Sequence, residues 1–230
     1  MNIFITGASR GIGFELSKMF CDQGHNVIAI ARTKTRLDEL ENYGNMSSGF
    51  GKIRGVHCDL SGELSSLNEA LEKTDEINVL INNAGALVNK PFSKISSSEL
   101  EKVYQVNLFT PFRLIQKLLP FLAKDAHIIN IGSVGGVNGT QKFPGLSAYS
   151  SSKGALSILT ECLQAEYADF NYAFNCLALG AVQTEMLEEA FPGYEADVSP
   201  QEMAKYIYNF AVNSGPIVRG KTIVLSRSNP

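Results

Sequence analysis

What the chain lacks narrows its function before any motif is read. Its 230 residues contain no run of about 18 apolar residues, so no membrane-spanning helix is expected. Lysine and arginine form no run, and the net charge is −3, so a nucleic-acid partner is not expected. Met1-Asn2 leads straight into IFIT without a basic region, which argues against a signal peptide and for a cytoplasmic location. The four cysteines, Cys21, Cys58, Cys162 and Cys176, fit neither a CxxC pair nor a zinc cluster. Reduced, partly buried thiols and no metal are therefore expected. The three histidines, His25, His57 and His127, are scattered, and His57 and His127 flank strand-like runs where a structural role is the expectation. There is no H-E-x-x-H. There is no G-x-S-x-G, because Ile131 stands where the first glycine would be. The S-x-x-K at 150–153 lacks its SDN and KTG companions; KTI at 221–223 fails at the third residue. Hydrolase chemistry is not supported.

What is present is an alternation. Hydrophobic residues make up 44% and charged residues 19%, ordinary for a globular protein long enough to bury a substantial core. Short β-branched runs lie at 2–6, 26–31, 52–57, 78–82, 127–131, 172–178 and 221–225. Several are too uniformly apolar for a sheet with one wet face, which predicts strands covered on both sides and paired in parallel. Helical patterns lie between them at 11–23, 34–42, 63–74, 98–123, 147–170 and 200–212. Ser199-Pro200 opens the last of these as N-cap and first helical position. The expected fold is α/β: a doubly wound, Rossmann-type parallel sheet of about seven strands with helices on both faces, as one domain over residues 1–230. Two long loops, 134–146 and 183–199, follow strands at their carboxyl ends, where such sheets bind ligands.

TGASRGIG at 6–13 joins the first strand to the first helix. A glycine turn there exposes backbone N–H groups and aims the helix's positive end at an anion, which suits a dinucleotide's phosphates. Gly7 permits the turn, Gly11 admits a pyrophosphate, and Gly13 lets helix and strand pack closely; Ser9, Arg10 and Ile12 complete the expected contacts. The end of the second strand reads Ala31-Arg32-Thr33, a cation where an NAD enzyme tends to carry an acid. Arg32 and Arg10 could grip a 2′-phosphate through planar forks of donors, which predicts NADP(H) as cofactor. The competing reading is that Arg32 is a solvated surface charge.

YSSSK at 149–153 puts Tyr149 and Lys153 four apart, one turn apart on a helix face. A phenol's pKa is about 10, and a neighbouring ammonium lowers it, so the pair could act as a general acid and base. Two surface residues at that spacing are the plainer alternative. Ser133, just past the fifth strand, could hydrogen-bond a substrate carbonyl. Asn107 precedes Pro111 by four; a proline has no N–H for that carbonyl, which could then hold water, or the proline simply kinks the helix.

Together these motifs resemble the short-chain dehydrogenase/reductase family across nearly the whole chain. The matching stretches are TGASRGIG at 6–13, CDL at 58–60, NNAG at 82–85, Asn107, Ser133 and Tyr149-x-x-x-Lys153. The resemblance implies Tyr149 as proton donor or acceptor and Lys153 as the group lowering its pKa and holding the nicotinamide ribose. It implies Ser133 orienting the carbonyl and Asn107 holding a water linked to Lys153. Asp59 and Leu60 would meet the adenine, and Asn83, Ala84 and Gly85 the ribose side, with Asn82 tying strands together. The intervening serines are expected on the helix surface or the cofactor side. Hydride would pass between the nicotinamide and a carbonyl or secondary alcohol.

Two departures stand out. Leu179 replaces the proline that usually follows the sixth strand, so the start of the 183–199 loop is expected to be less constrained; Gly180, Val182 and Thr184 still match as cofactor contacts. The tail SRSNP differs from the usual glycine-containing end. Leu156, Leu159 and Leu163 form a candidate face, and the family implies a homodimer or homotetramer. The expectation is an NADPH-dependent carbonyl reductase acting on a small-molecule ketone, aldehyde or alcohol. The alternatives are a non-catalytic nucleotide-sensing protein on the same fold, or isomerisation or dehalogenation with the same cofactor. Gly135, Gly136, Phe143 and Pro144 in one loop, and Met186, Leu187, Phe191 and Tyr194 in the other, suggest an apolar substrate pocket or, equally, loop-packing anchors.

Overall fold

The computed structural model describes residues 1–47 and 51–227, so the last three residues of the SRSNP tail lie outside the described residues. The seven strands are β1 (Asn2–Thr6), β2 (Asn26–Ala31), β3 (Lys52–His57), β4 (Ile77–Asn82), β5 (Leu122–Ser133), β6 (Ala173–Leu179) and β7 (Lys221–Leu225). The helices are α1 (Gly11–Asp22), α2 (Lys34–Met46), α3 (Asn68–Glu72), α4 (Ser97–Tyr104), α5 (Thr110–Leu118), α6 (Ser147–Glu166), α7 (Glu185–Ala190) and α8 (Pro200–Asn213). The strands form one sheet in the order β3-β2-β1-β4-β5-β6-β7, and every neighbouring pair is parallel.

Alternation along the strands builds two cores, one on each face. Ile3 and Ile5 of β1 pack with Leu16 and Phe20 of α1, Leu37 and Leu40 of α2, and Ile207 and Phe210 of α8. Phe4, between them, points to the other face and packs with Leu67, Leu71, Leu114 and Leu118. A side-chain period of two explains the split, and burial on both faces explains the continuous apolar runs. Ser199 caps α8 by accepting from the Glu202 N–H at 3.2 Å, while the Glu202 carboxylate accepts from the Ser199 N–H at 3.0 Å.

The expected helix over 98–123 does not form as one piece. It breaks into α4, a π-helical turn at Gln105–Phe109, α5 and a 3-10 turn at Leu119–Phe121. In the π turn the Thr110 N–H donates to the Gln105 carbonyl, five residues back. Pro111 and Pro120 each remove an N–H and limit the regular helix. The chain then enters β5 at Leu122, five residues earlier than expected, and a register irregularity against β4 follows between Ile77 and Val79. The expected helix over 63–74 contracts to a 3-10 turn (Ser65–Leu67) and α3, and α6 ends at Glu166. Among the described residues no helix is long and apolar enough to cross a membrane.

His127 serves the fold. It is 3% exposed, and its Nε2 lies 3.0 Å from Asn175 Nδ2, which can only donate. Its Nδ1 therefore carries the proton and donates to the Ala211 carbonyl at 3.1 Å. Burial pushes its pKa down to about 4, so between about 4 and 6.5 the unfolded chain binds a proton that the folded protein refuses. Stability from this group is complete above about 6.5 and is lost as pH falls. Between pH 7 and 4.5 the wild type should lose roughly 2 kcal/mol more stability in urea unfolding than a His127→Gln variant. Parallel losses in the two proteins would contradict a buried neutral histidine.

Candidate functional site

The sheet's strand order reverses between β1 and β4, and the chain leaves both strands on the same edge. A cleft of about 670 Å³ opens there, at the carboxyl ends of the strands. Its floor is tied by Thr6, whose Oγ1 accepts the N–H groups of Asn83 and Ala84, each at 3.0 Å. Asn83 Nδ2 returns hydrogen bonds to the carbonyls of Thr6 and Gly7, at 3.0 and 3.2 Å.

The cleft wall includes Gly7, Ser9, Arg10, Gly11, Ile12, Arg32, Thr33, Asp59, Leu60, Asn83, Ala84 and Gly85. Ser133, Tyr149, Lys153, Gly180, Val182 and Thr184 line it as well, with Thr184 beside Gly11 and Lys153 near Gly85. Two expected residues are absent from the wall. Gly13 works by packing instead: a Cβ there would stand 2.4 Å from the Gly7 carbonyl oxygen. Asn107 is fully buried behind the wall. Its Oδ1 accepts from Ala86 N–H at 2.8 Å, and its Nδ2 donates to the Ala86 carbonyl and to Ser152 Oγ, both at 2.9 Å. Asn82 bridges β4 to β5 through Asn130 Oδ1 at 2.8 Å, and Asn130 reaches Thr160 of α6 at 2.9 Å.

A dinucleotide fits the donors present. The N-cap of α1 is Arg10, whose side chain does not cap the helix, so the N–H groups of the first turn face the cleft uncapped by a side chain. Gly11 has φ +53°, and a Cβ on it would stand 3.1 Å from Thr184 Cγ2, so glycine keeps this turn open. The cation Arg32 and the hydroxyl of Thr33 line the end of β2. Asp59 accepts from the N–H and hydroxyl of Ser61, at 3.0 and 2.7 Å, and these bonds hold its pKa below the usual value. Arg36, unnoticed in the sequence, donates from Nε to the Ser9 carbonyl at 3.2 Å and stacks over Phe14 at 4.8 Å.

Tyr149 and Lys153 occupy successive turns of α6, as their spacing predicts. Their electrostatics differ from expectation. Burial raises the Tyr149 pKa above 10, and a hydrogen bond with Ser133 opposes that rise only in part. Lys153 does not lower it here. Its Nζ donates to the Ile131 carbonyl at 2.7 Å and lies 5.9 Å from the Tyr149 ring centroid. Burial pushes the amine itself down to about 8. Both shifts have one cause: a water-poor site disfavours the charged form of either group.

The serines of the quintet divide. Ser151 is exposed and bonds back to the Ser147 carbonyl at 2.7 Å. Ser152 is fully buried; it donates to the Tyr149 carbonyl at 2.7 Å and accepts from Asn107, so it is neither surface nor cofactor-side. The 183–199 loop is also more constrained than Leu179 suggests. Gly180 N–H donates to the Leu225 carbonyl and Gln183 N–H to the Val198 carbonyl, both at 2.8 Å. Gln183 Oε1 accepts from the Ala196 N–H at 2.7 Å, and Thr184 caps α7 through the Leu187 N–H at 3.3 Å. Gly135, Phe143, Met186, Leu187, Phe191 and Tyr194 line the cleft; Gly136 and Pro144 line a separate recess beside it. Leu156 is core, while Leu159 and Leu163 are half-buried, Leu163 packing against the core beside Phe4 and Phe174, so the leucine face of α6 is only partly interior.

A doubly wound parallel sheet with a phosphate-ready turn and a serine, tyrosine and lysine on one cleft wall defines the class of nicotinamide-linked oxidoreductases. The comparisons carry this to a family. A model described as short chain dehydrogenase matches residues 1–195. A fatty acyl-CoA reductase of Acinetobacter baylyi is 32% identical over 214 residues, 88% of this chain and 70% of that protein. A 3-oxoacyl-[acyl-carrier-protein] reductase of Aquifex aeolicus is 31% identical, covering 95% of this chain and 93% of its own. Among solved structures, a 4-hydroxyisoleucine dehydrogenase mutant complexed with NADH and succinate matches with a TM-score of 0.82 at 27% identity, covering 98% of this chain and 96% of that one. The chain belongs to the short-chain dehydrogenase/reductase family and is an oxidoreductase.

The split within the quintet is testable. Ser152→Ala should cost about 1–2 kcal/mol of stability by urea unfolding, because it leaves one buried N–H of the Asn107 amide without its acceptor. Ser151→Ala should stay within about 0.5 kcal/mol of wild type. Equal effects from the two would remove the distinction.

Proposed function

We propose that the protein is an NADP(H)-dependent oxidoreductase that interconverts a carbonyl and a secondary alcohol, with Tyr149 as proton donor and acceptor. The observation that carries this reading is the convergence of Ser133, Tyr149 and Lys153 in a cleft that Arg10 and Arg32 also line. When bound, the nicotinamide supplies or accepts the hydride, and the protein's own residues do the rest.

The N–H groups of the 6–13 turn would hold the pyrophosphate, and Arg32, Thr33 and Arg10 the 2′-phosphate. Asp59 and Leu60 would border the adenine, Asn83, Ala84 and Gly85 the ribose side, Gly180 and Val182 the nicotinamide amide, and Thr184, beside Gly11, the pyrophosphate. Ser133, already hydrogen-bonded to the phenol, would orient the substrate oxygen. Tyr149 keeps its proton at neutral pH, because its pKa lies above 10, and so is in the form needed to protonate a developing alkoxide. Lys153 does not lower the phenol's pKa while its Nζ is held by the Ile131 carbonyl; as an ammonium turned toward the phenol oxygen during turnover it would stabilise the phenolate left behind. Its pKa near 8 means that this cation fades as pH rises through 8. Asn107 acts at one remove, holding the α6 turn through Ser152.

NADP(H) and the reductase names of both curated relatives support reduction as the direction. Exposed Phe109 in the π turn, Phe112 on α5 and Ile158 on α6 support pairing of copies into a homodimer or homotetramer. A screen of NADPH oxidation over aldehydes, ketones, quinones and 3-oxoacyl thioesters would identify the substrate.

Tyr149→Phe should lower turnover by about 10²- to 10⁴-fold, the usual share of general-acid catalysis, with NADPH affinity nearly unchanged. Full activity in that variant would eliminate Tyr149 as the acid. For the wild type, kcat/KM should favour NADPH over NADH; equal values or the reverse order would overturn the cofactor assignment.

A further inference from the structure

Arg10 faces the cofactor end of the cleft, but its guanidinium is already engaged. Nη1 donates to Glu189 Oε1, and Nη2 donates to Oε2 at 3.2 Å, a two-pronged pair across 179 residues of sequence. Glu189 belongs to α7, the short helix of the 183–199 loop. One turn earlier on α7, Glu185 brings Oε2 to 3.4 Å from the point where a Cβ on Gly11 would stand. Two carboxylates of one helix therefore face the turn that would receive phosphates. The far end of α7 is held by Asn89, whose Nδ2 donates to the Ala190 carbonyl at 2.9 Å.

A carboxylate and a phosphate present the same pair of oxygens to a guanidinium, and the phosphate carries more charge. They compete for the one fork on Arg10. NADP(H) carries a 2′-phosphate and NAD(H) does not; apart from that group the two cofactors bring the same charges to the cleft. A residue that occupies Arg10 thus penalises one cofactor and not the other. Glu185 faces the part of the turn that both cofactors share and acts on Arg10 only through its charge, without a hydrogen bond, so its effect should discriminate less.

We propose that Glu189 is a specificity-determining residue of the cofactor site, acting through Arg10: it holds the guanidinium until a 2′-phosphate displaces it. This rests on the NADP(H) reading above. Removing the carboxylate frees Arg10 and widens the preference for NADP(H). The pair is well exposed, with side chains 42% and 64% accessible, so the change is modest.

The test is direct binding, by fluorescence or calorimetric titration of NADPH and NADH to wild type, Glu189→Gln, Glu185→Gln, Arg10→Ala and the Arg10→Ala/Glu189→Gln double variant. Glu189→Gln should tighten NADPH binding about two- to fivefold at low salt, with NADH nearly unchanged and the gain shrinking at high salt. Glu185→Gln should shift both cofactors, with a smaller difference between them than Glu189→Gln gives. In the Arg10→Ala background the Glu189→Gln gain should vanish. An unchanged NADPH affinity, an equal gain for both cofactors, or a gain that survives without Arg10 overturns the proposal. A wild type that binds NADH as tightly as NADPH refutes the cofactor reading alone; the effect of Glu189→Gln on NADPH affinity still decides the proposal.

Discussion

The missing side chain at Gly13 sets the distance on which the cleft depends. A single methyl there would stand 2.4 Å from the Gly7 oxygen and 2.5 Å from Asn83 Nδ2. Only a hydrogen lets α1 come down onto the end of β1 while Asn83 reaches across from β4 to the Thr6 and Gly7 carbonyls. The last paired residues of those strands are Ile5 and Ile81, so the knot closes immediately beyond the ladder. It fixes the start of α1, and with it the N–H groups aimed at the cleft. It also fixes the 83–85 segment on which the Asn107 network rests. Interiors packed this closely transmit displacement rather than absorb it, so a shift at Gly13 would reach both ends of the cleft.

The second constraint is the polar interior beneath α6. Ser152, Lys153, Ser157 and Thr160 are all buried on a helix that lies over the sheet. Each has a partner: Asn107 and the Tyr149 carbonyl, the Ile131 carbonyl, Thr222, and Asn130 with the Leu156 carbonyl. Satisfied polar groups in a low-dielectric interior fix a helix's rotation and height more narrowly than apolar contacts do, because each mismatch leaves a group unpaired. Tyr149 is thereby held at a defined place on the cleft wall. Burial drives the phenol up and the amine down, so the pair favours neutral forms, and a charge arriving in the cleft would redistribute the protons.

Much of this was legible in the chain. The bounds of β1, β2, β3 and β7 follow from short β-branched runs between turn residues, and parallel pairing follows from runs apolar on both faces. The segment 118–123 misled because Leu118, Leu119, Phe121 and Leu122 are as apolar as a helix face. Periodicity cannot separate a helix end from an entering strand over six residues; Pro120 was the available signal. Tyr149, Lys153 and Ser133 were legible because each sits in a contiguous motif. Ser151 and Ser152 are chemically identical and differ only by about 100° of helical phase, which the packing partner decides. The Arg10–Glu189 pair left no local trace, since its members meet only after the whole sheet is assembled.

That pair also explains why α7 matters beyond its six residues. It meets the phosphate turn at both ends, through its N-cap Thr184 beside Gly11 and through Glu189 on Arg10. In its middle, Met186 Cε lies 3.6 Å from the position of a Cβ on Gly85, close to where Lys153 Nζ stands at 3.9 Å from the same point. The same short helix thus touches both the phosphate turn and the space beside Gly85 and Lys153. Glu189, on the cation that would meet a 2′-phosphate, and Met186, beside Gly85, stand three residues apart on α7, so one short element borders both the phosphate turn and the space next to Lys153.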